Sequence, residues 1–409
     1  MRQRILKICL MSKYPPIEGG ESSKAYWLAK GLGKRGHEVH IVTNAWEVEE
    51  KYRENILGSD LENNYQPLNV HVHNTNGFVD PKYIPYSKPY TEKIASLAID
   101  VIQNYDLQLI DSWYVLPYVI SGYIVKTLTG KPQIMRHAGS DMTRLFESPY
   151  LRSLFISIFK TVDGLITCPA MEKVFVSIGV PREKIFLNVG VSVDPESFNP
   201  NVKPANLSEL LGEDTSPDIP VVAYIGKLDE VKGVYELVDA ASRIDEDFRL
   251  LFVTQTCGLE DFKDYIHQKG MSKKIIFLGF VPPWKIPSII KRSTCVVIPE
   301  RNFPVAQHSS ILAREVLSTG GCLVLGKELY DKMKWLGIQD KESLVVVDPK
   351  NITEFKSTLE KILKDSVLRS ILKQNARRLS EKIENFELYI DNIVQLYEQT
   401  LDDDKLTRL

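Results

Sequence analysis

An α/β fold in two halves is predicted by three observations. Short apolar strands alternate with amphipathic helices, a stretch rich in Pro, Asn, Ser and Asp interrupts that rhythm at residues 201–220, and the rhythm then restarts. With 409 residues the chain is too long for one ordinary domain and suits two. The apolar fraction of 44% and charged fraction of 25% are enough to build a core in each half.

The first half opens with Ile5–Met11, a continuous apolar run of the kind found in strands buried on both faces. A loop with Pro15, Pro16, Gly19 and Gly20 follows. Ser22 or Ser23 is then expected to cap a helix bearing Tyr26, Trp27, Ala29 and Leu32, which ends near Arg35-Gly36. Val39–Thr43 reads as the next strand, completing a βαβ unit, and such units build parallel sheets covered by helices. Asn69–His73, Leu107–Asp111, Pro132–His137, Gly164–Cys168 and Ile185–Val189 continue as strands. Thr91–Asn104, Val119–Thr129 and Leu151–Val162 read as helices.

After the interruption, strands are expected at Val221–Ile225, Arg249–Thr254, Ile275–Leu278, Cys295–Ile298 and Cys322–Leu325, with helices at Val234–Ser242 and Ile311–Thr319. Three helices close the chain at Ile352–Lys364, Val367–Ile383 and Leu388–Asp402, before an acidic tail at Asp402–Asp404 that is expected to fray.

Composition excludes several classes. A formal net charge of −2 gives no general attraction to nucleic acid or an acidic membrane. The five cysteines are scattered, form no CxxC pair, and suggest neither a zinc site nor a disulfide framework; Cys9, Cys295 and Cys322 read as buried thiols of a reducing compartment. The N-terminal apolar run is too short and too interrupted for a signal peptide, and no window approaches the ~20 apolar residues of a spanning helix. A cytoplasmic location is expected. The basic, apolar segment Met142–Val162 reads either as a helix packed on its own sheet or as one lying on a membrane surface.

Four loops carry candidate chemistry, each leaving a strand where open parallel sheets bind ligands. At Gly19-Gly20 the backbone can approach a ligand closely, and the helix start offers N–H donors to an anion. The spacing matches neither GxGxxG nor a P-loop. Lys227, and Lys232 before Gly233, place two cations at a strand mouth, where each pairing with a diphosphate oxygen at ~4 Å is worth about 4 kcal/mol before desolvation. Solvated surface lysines are the plainer reading.

The third loop is Gln307-His308-Ser309-Ser310, in which Ser309 or Ser310 caps a helix carrying Glu315 near its C-terminal end. A carboxylate there opposes the helix dipole, so it suits either a vicinal diol or a surface ion pair. The fourth is Arg136-His137-Ala138-Gly139-Ser140-Asp141, where the histidine and aspartate could orient a polar ligand or be purely structural. No role is apparent for Arg136.

Taken in order, these elements resemble the family-4 retaining glycosyltransferases of the GT-B fold. The phrase Pro16-Ile17-Glu18-Gly19-Gly20 before Leu28-Ala29-Lys30-Gly31-Leu32 and Arg35-Gly36-His37-Glu38-Val39 is similar to the family's opening. Gly190-Val191-Ser192-Val193-Asp194, leading to Phe198-Asn199-Pro200, resembles its interdomain segment. Gly226-Lys227-Leu228 with Lys232-Gly233 resembles its donor-phosphate motif, and Glu315 before Ser318-Thr319-Gly320 matches the second glutamate of its paired-glutamate motif.

The resemblance implies two Rossmann-like domains, residues 1–200 on the acceptor side and 201–385 on the nucleotide-sugar side, with parallel sheets facing an interdomain cleft and helix 386–409 crossing back. It implies that Gly19 and Gly20 approach the donor phosphate, that Lys227 and Lys232 neutralise the leaving diphosphate, that Glu315 holds the ribose, and that His137 lies near the transferred sugar. Gln307, Ser309 and Ser310 complete the donor set. No metal and no cofactor are expected; a nucleotide-sugar donor and an acceptor of unspecified kind are. Two positions depart from the pattern: Lys227 stands where arginine is usual, losing bidentate geometry, and Gln307 stands where the first glutamate is usual, losing charge-assisted hydrogen bonds. A nucleotide-sugar epimerase and a non-catalytic sugar-nucleotide-binding protein are the alternatives. The first would convert donor without acceptor, and the second would bind donor without releasing nucleoside diphosphate.

The acidic tripeptides Asp245-Glu246-Asp247 and Asp402-Asp403-Asp404 have the form of metal-binding DxD motifs. One precedes a strand, at the sheet edge opposite the ligand side, and the other lies in the tail, so both read as solvated surface.

Overall fold

The computed structural model describes residues 4–75, 89–187, 189–211, 216, 218–255, 258–305 and 309–408. Two α/β units result. One comprises Met1–Glu49, Ile56–Ser192 and Phe386–Leu409, and the other Glu50–Asn55 and Val193–Asn385.

The first unit holds seven parallel strands: β1 (Lys7–Met11), β2 (Glu38–Thr43), β3 (Val70–Asn74), β4 (Leu109–Trp113), β5 (Gln133–Arg136), β6 (Gly164–Ile166) and β7 (Ile185–Phe186). Their order across the sheet is β3-β2-β1-β4-β5-β6-β7. The chain therefore winds outward one way through β2 and β3, then returns to β4 beside β1 and winds the other way. Ile8, Cys9, Leu10 and Met11 are all fully buried, because helices cover both faces of the central strand. Helix Tyr90–Tyr105 covers one face with Ile94, Ala98, Val101 and Ile102. Helix Arg152–Thr161 turns Phe155, Ile158 and Phe159 inward onto the same core as Met135 and Leu165. Its basic residues point outward, which is the packed-helix reading of that segment.

The long C-terminal helix, Phe386–Arg408, belongs to this unit and is fastened to it by ions. Arg35 reaches Glu387 at 2.6 Å and also pairs with Asp391. A buried network does more. Asp111 of β4 receives Arg136 Nη2 at 2.7 Å, Tyr397 Oη at 2.5 Å and Trp113 Nε1 at 3.1 Å, while the guanidinium lies 4.4 Å from the Trp113 ring centre. Asp111 and Tyr397 are fully buried and Arg136 nearly so. Arg136 thus has a structural role that sequence reading missed: it neutralises a core carboxylate that also binds the C-terminal helix.

The second unit holds six parallel strands: β8 (Val221–Ile225), β9 (Arg249–Val253), β10 (Ile275–Leu278), β11 (Cys295–Ile298), β12 (Leu323–Gly326) and β13 (Val345–Val347), ordered β10-β9-β8-β11-β12-β13. The winding again reverses, here between β8 and β11. One core joins Val222, Leu237, Phe248, Phe252, Val297 and Val324 to Phe355, Leu359 and Leu372 of the closing helices. Cys9, Cys295 and Cys322 are buried free thiols, and burial raises the Cys9 thiol to about 12 and the Cys322 thiol to about 11.

Several local expectations are corrected. The first helix begins at Gly20 with Gly19 as its N-cap, and neither Ser22 nor Ser23 caps it; Ser22 is fully buried and faces the core. Helices Pro169–Ser177, Glu260–Gln268, Ile286–Arg292 and Lys327–Met333, and strand β13, were not anticipated. Each is short, and two carry a proline in the first turn, where its missing N–H is harmless. The stretch 201–220 contains helix Leu207–Leu211, with Leu207 buried, and Ala205 N donates to Ser288 O at 2.9 Å. The tail does not fray at Asp402 but stays helical to Arg408, with Arg4 pairing Asp402 at 3.2 Å. Asp245–Asp247 sits just before β9, and Glu246 pairs with Lys364.

Candidate active site

Each sheet reverses its winding between two neighbouring strands, and at such a point the loops leaving the C-terminal ends diverge and open a crevice. The described ones among the sequence-predicted residues lie on the loops and helices that follow strands of these two sheets.

In the first unit the reversal lies between β1 and β4. Gly19 and Gly20 follow β1 and are both exposed. Gly19 has φ 109°, which a side chain would strain, yet a Cβ there would meet nothing within 4 Å, so open space lies over this backbone. The loop after β4 bends through Tyr114, whose ring carries Lys13 Nζ 3.9 Å from its centre and whose hydroxyl lies 3.2 Å from Ser140 Oγ. After β5 come His137 and Asp141. Asp141 Oδ2 accepts from Ala138 N at 2.8 Å and Val115 N at 3.2 Å, stitching the β4 and β5 loops together. Its Oδ1 is buried with no hydrogen-bond partner among the described residues, and burial raises the carboxyl from 3.8 to about 6.

His137 is half-buried. Nε2 lies 2.7 Å from Thr167 Oγ1 beyond β6, and Nδ1 lies 3.3 Å from Ala138 O. Since the carbonyl can only accept, Nδ1 carries the proton and Nε2 accepts from the threonine hydroxyl. Burial lowers the imidazole pKa, opposed by Ala138 O and by the charge of Glu21, with Lys24 adding to the lowering. The ring is thus a neutral, oriented group, and helix Gly20–Lys34 brings Glu21 and Lys24 into its field.

In the second unit the loops after β8 and β11 meet. Gly226 N donates to Val253 O at 3.0 Å, and Tyr224 Oη donates to Lys227 O at 2.6 Å, fixing the turn that carries Lys227. Its ammonium lies 5.2 Å from the ring centre of Tyr52, in the short segment Glu50–Asn55 that belongs to this unit. Asp229 caps the turn Glu230–Lys232 by accepting from Val231 N at 3.0 Å. Gly233 follows at φ 70°, where an added Cβ would fall 2.0 Å from Pro299 O, so only glycine lets the two loops touch. That contact sets Lys232 beside Glu300, Nζ to Oε1 at 2.5 Å, with the ammonium also 4.1 Å from the Phe303 ring centre. Glu300 is 6% exposed and was not singled out in the sequence. Its signal, an acidic residue two positions beyond an apolar strand, is too common to stand out.

Lys332 ties the start of the β11 loop, its Nζ donating to Phe303 O at 2.8 Å and Val305 O at 2.9 Å. Gln307 and His308 lie outside the described residues. Ser310 caps helix Ile311–Ser318, accepting from Ala313 N at 3.2 Å, while Ser309 Oγ is buried beside it. Glu315 is 5% exposed in that helix, so its carboxylate is buried rather than on the surface. Arg314, on the next face, makes a two-pronged bond to Glu384 at 2.6 Å each, and Glu384 also accepts from Val193 N at 2.9 Å. Chemically, this half offers an ammonium at the crossing of the β8 and β11 loops and, after the β11 loop, a capped helix N-terminus with a buried carboxylate further along that helix.

Residues 213–379 match the family described as glycosyl transferases group 1. An uncharacterized glycosyltransferase of Methanocaldococcus jannaschii is 23% identical over 390 residues, spanning 91% of this chain and 93% of the relative. Among solved structures, sucrose-phosphate synthase from Thermosynechococcus elongatus superposes with a TM-score of 0.69 at 18% identity, covering 97% of this chain and all of that one. Anabaena HepE in complex with UDP and glucose gives 0.68 at 15% identity, covering 96% and 99%. The chain is therefore a glycosyltransferase built on two Rossmann-like units, with residues 213–379 matching the group 1 family.

Proposed function

We propose that the protein transfers a sugar from a nucleoside-diphosphate sugar, UDP in the first instance, to an acceptor hydroxyl, with retention at the anomeric carbon and no metal at the diphosphate. What supports this reading is the Lys232–Glu300 contact where the β8 and β11 loops cross, together with the Ser310-capped helix and buried Glu315 that follow the β11 loop, all inside the family-matched stretch. The UDP assignment leans on HepE, whose structure holds that nucleotide.

In this reading Lys227 and Lys232 receive the diphosphate, the N–H groups at Ile311 and its neighbours add partial positive charge, and Glu315 accepts hydrogen bonds from a ribose diol. Gln307, Ser309 and Ser310 hold the rest of the donor, Gly19 and Gly20 give backbone donors to its phosphate, and His137 contacts the sugar. As the anomeric C–O bond to phosphate breaks, negative charge grows on the departing oxygen, and fixed cations stabilise it more than they stabilise the intact donor. The acceptor oxygen bonds to the same carbon, and its proton passes to the leaving phosphate. Glu300 holds the Lys232 ammonium in place before donor arrives.

The test is donor turnover with UDP-, GDP- and ADP-sugars in EDTA against a panel of acceptor alcohols, with the product anomer read by NMR. Acceptor-dependent release of nucleoside diphosphate with an unchanged anomer is expected. Conversion of the donor sugar without acceptor would instead make the protein an epimerase.

A further inference from the structure

A second cluster of polar side chains lies on the first sheet, on strands β2 and β3. Strand side chains alternate with period two, so Glu38 and His40 of β2 face one side, as do His71 and His73 of β3. The register pairs His40 directly with His71. Four groups with metal-ligand chemistry therefore share one face at the sheet's edge strand, beginning at the first residue of β2.

The geometry is close. His40 Nε2 lies 2.9 Å from Glu38 Oε1, and His40 Nδ1 lies 2.9 Å from His73 Nε2. The ring centres of His40 and His71 are 4.8 Å apart, and the ligand atoms of Glu38, His40 and His71 all lie within 4.8 Å of one another. Tetrahedral zinc with ligands at ~2.0–2.1 Å needs them ~3.3 Å apart, so movements of about 1 Å close the site. His71 is exposed and free to swing, whereas His40 is fully buried and anchored. Tyr105 packs its ring 4.3 Å from that of His40, and Lys7 holds the second carboxylate oxygen of Glu38 at 3.4 Å.

A neutral imidazole carries one proton, yet both nitrogens of His40 face hydrogen-bonding partners. Without an ion, Nε2–H donates to Glu38 Oε1 and Nδ1 accepts from His73; with an ion bound, Nε2 ligates it and Nδ1–H donates to His73 Nε2. That is the arrangement of a metal-bound histidine oriented through its other nitrogen. Imidazole with carboxylate suits zinc, nickel or copper rather than magnesium or calcium.

We propose that Glu38, His40 and His71 bind one divalent ion of the zinc class, with His73 positioning His40, so that the ion staples edge strand β3 to β2. This site is separate from the transfer reaction, and its test needs no sugar donor.

Metal-free, untagged full-length protein is titrated with zinc chloride by calorimetry, beside His71→Ala, Glu38→Gln and, as control, His267→Ala on an exposed helix turn. Expected are one equivalent of zinc bound with a micromolar or tighter dissociation constant, at least tenfold weaker binding in the first two variants, and wild-type binding in the control. Zinc should also raise the melting temperature of wild type and leave that of His71→Ala unmoved. Absence of stoichiometric binding overturns the proposal, as does equal affinity in His71→Ala or loss of binding in His267→Ala.

Discussion

Replacing Lys232 with methionine should damage stability and donor binding together, and a second substitution should separate the two. The Lys232 ammonium lies 2.5 Å from Glu300 Oε1, with the lysine side chain 21% exposed and the glutamate side chain 8%. Exposed pairs contribute about 0.2–1 kcal/mol, whereas removing one member of a fully buried pair costs about 3–5 kcal/mol. This pair lies between, so Lys232→Met should cost about 2 kcal/mol, lowering the melting temperature of a domain this size by about 4–8 °C. Glu300→Gln leaves a cation that water can still reach and should cost about 1 kcal/mol. The double variant Lys232→Met/Glu300→Gln removes both charges and should recover at least half of the Lys232→Met loss. Donor affinity should not recover. A charge-assisted hydrogen bond is worth about 1.5–3 kcal/mol, so UDP should bind about ten- to a hundredfold more weakly in both the single lysine variant and the double. Urea unfolding and calorimetric UDP titration on all four proteins give the cycle. A double variant that binds UDP as wild type does would refute the role of Lys232 at the diphosphate.

Three further outcomes follow from the geometry. Asp141 has its carboxyl raised from 3.8 to about 6, so the stability it contributes is complete below 3.8 and is lost as pH rises through about 6, a change of about 3 kcal/mol. Asp141→Asn should match wild type near pH 4 and exceed it by up to about 3 kcal/mol at pH 7.5 in urea unfolding; equal curves at both pH values would contradict this. Arg136→Met strips the guanidinium from the fully buried Asp111 and should cost about 3–5 kcal/mol, against about 1–2 kcal/mol for Tyr397→Phe, both measured by denaturant unfolding. Gly233→Ala forces a Cβ to within 2.0 Å of Pro299 O at φ 70°, so it should destabilise by more than about 2 kcal/mol, and a neutral effect would mean that the loop crossing is slack.

How much was legible in the sequence depended on how local the cause was. The apolar runs of β1, β8 and β11 and the helix Ile352–Lys364 were readable because fully buried strands and an amphipathic helix write their environment into consecutive residues. Ser310 was readable as a cap, one residue before an apolar helix. Ser22 was misread because its burial is decided by the sheet beneath it. The partners of Arg136 could not be foreseen: Asp111 is 25 residues away and Tyr397 is 261, and only the fold brings them together. The same holds for Glu300, which is 68 residues from Lys232, and for His40, which meets His73 across 33. Motif reading singled out Lys227 and Lys232; that Lys232 pairs with Glu300 needed the structure.

The central claim is tested most directly by calorimetric titration of UDP-, GDP- and ADP-sugars in EDTA into wild type and Glu315→Ala. One nucleotide series is expected to bind without metal, and Glu315→Ala to weaken it at least tenfold, since the buried carboxylate is assigned to the ribose. Failure of all three series to bind, or undiminished binding in Glu315→Ala, would contradict the donor site described here.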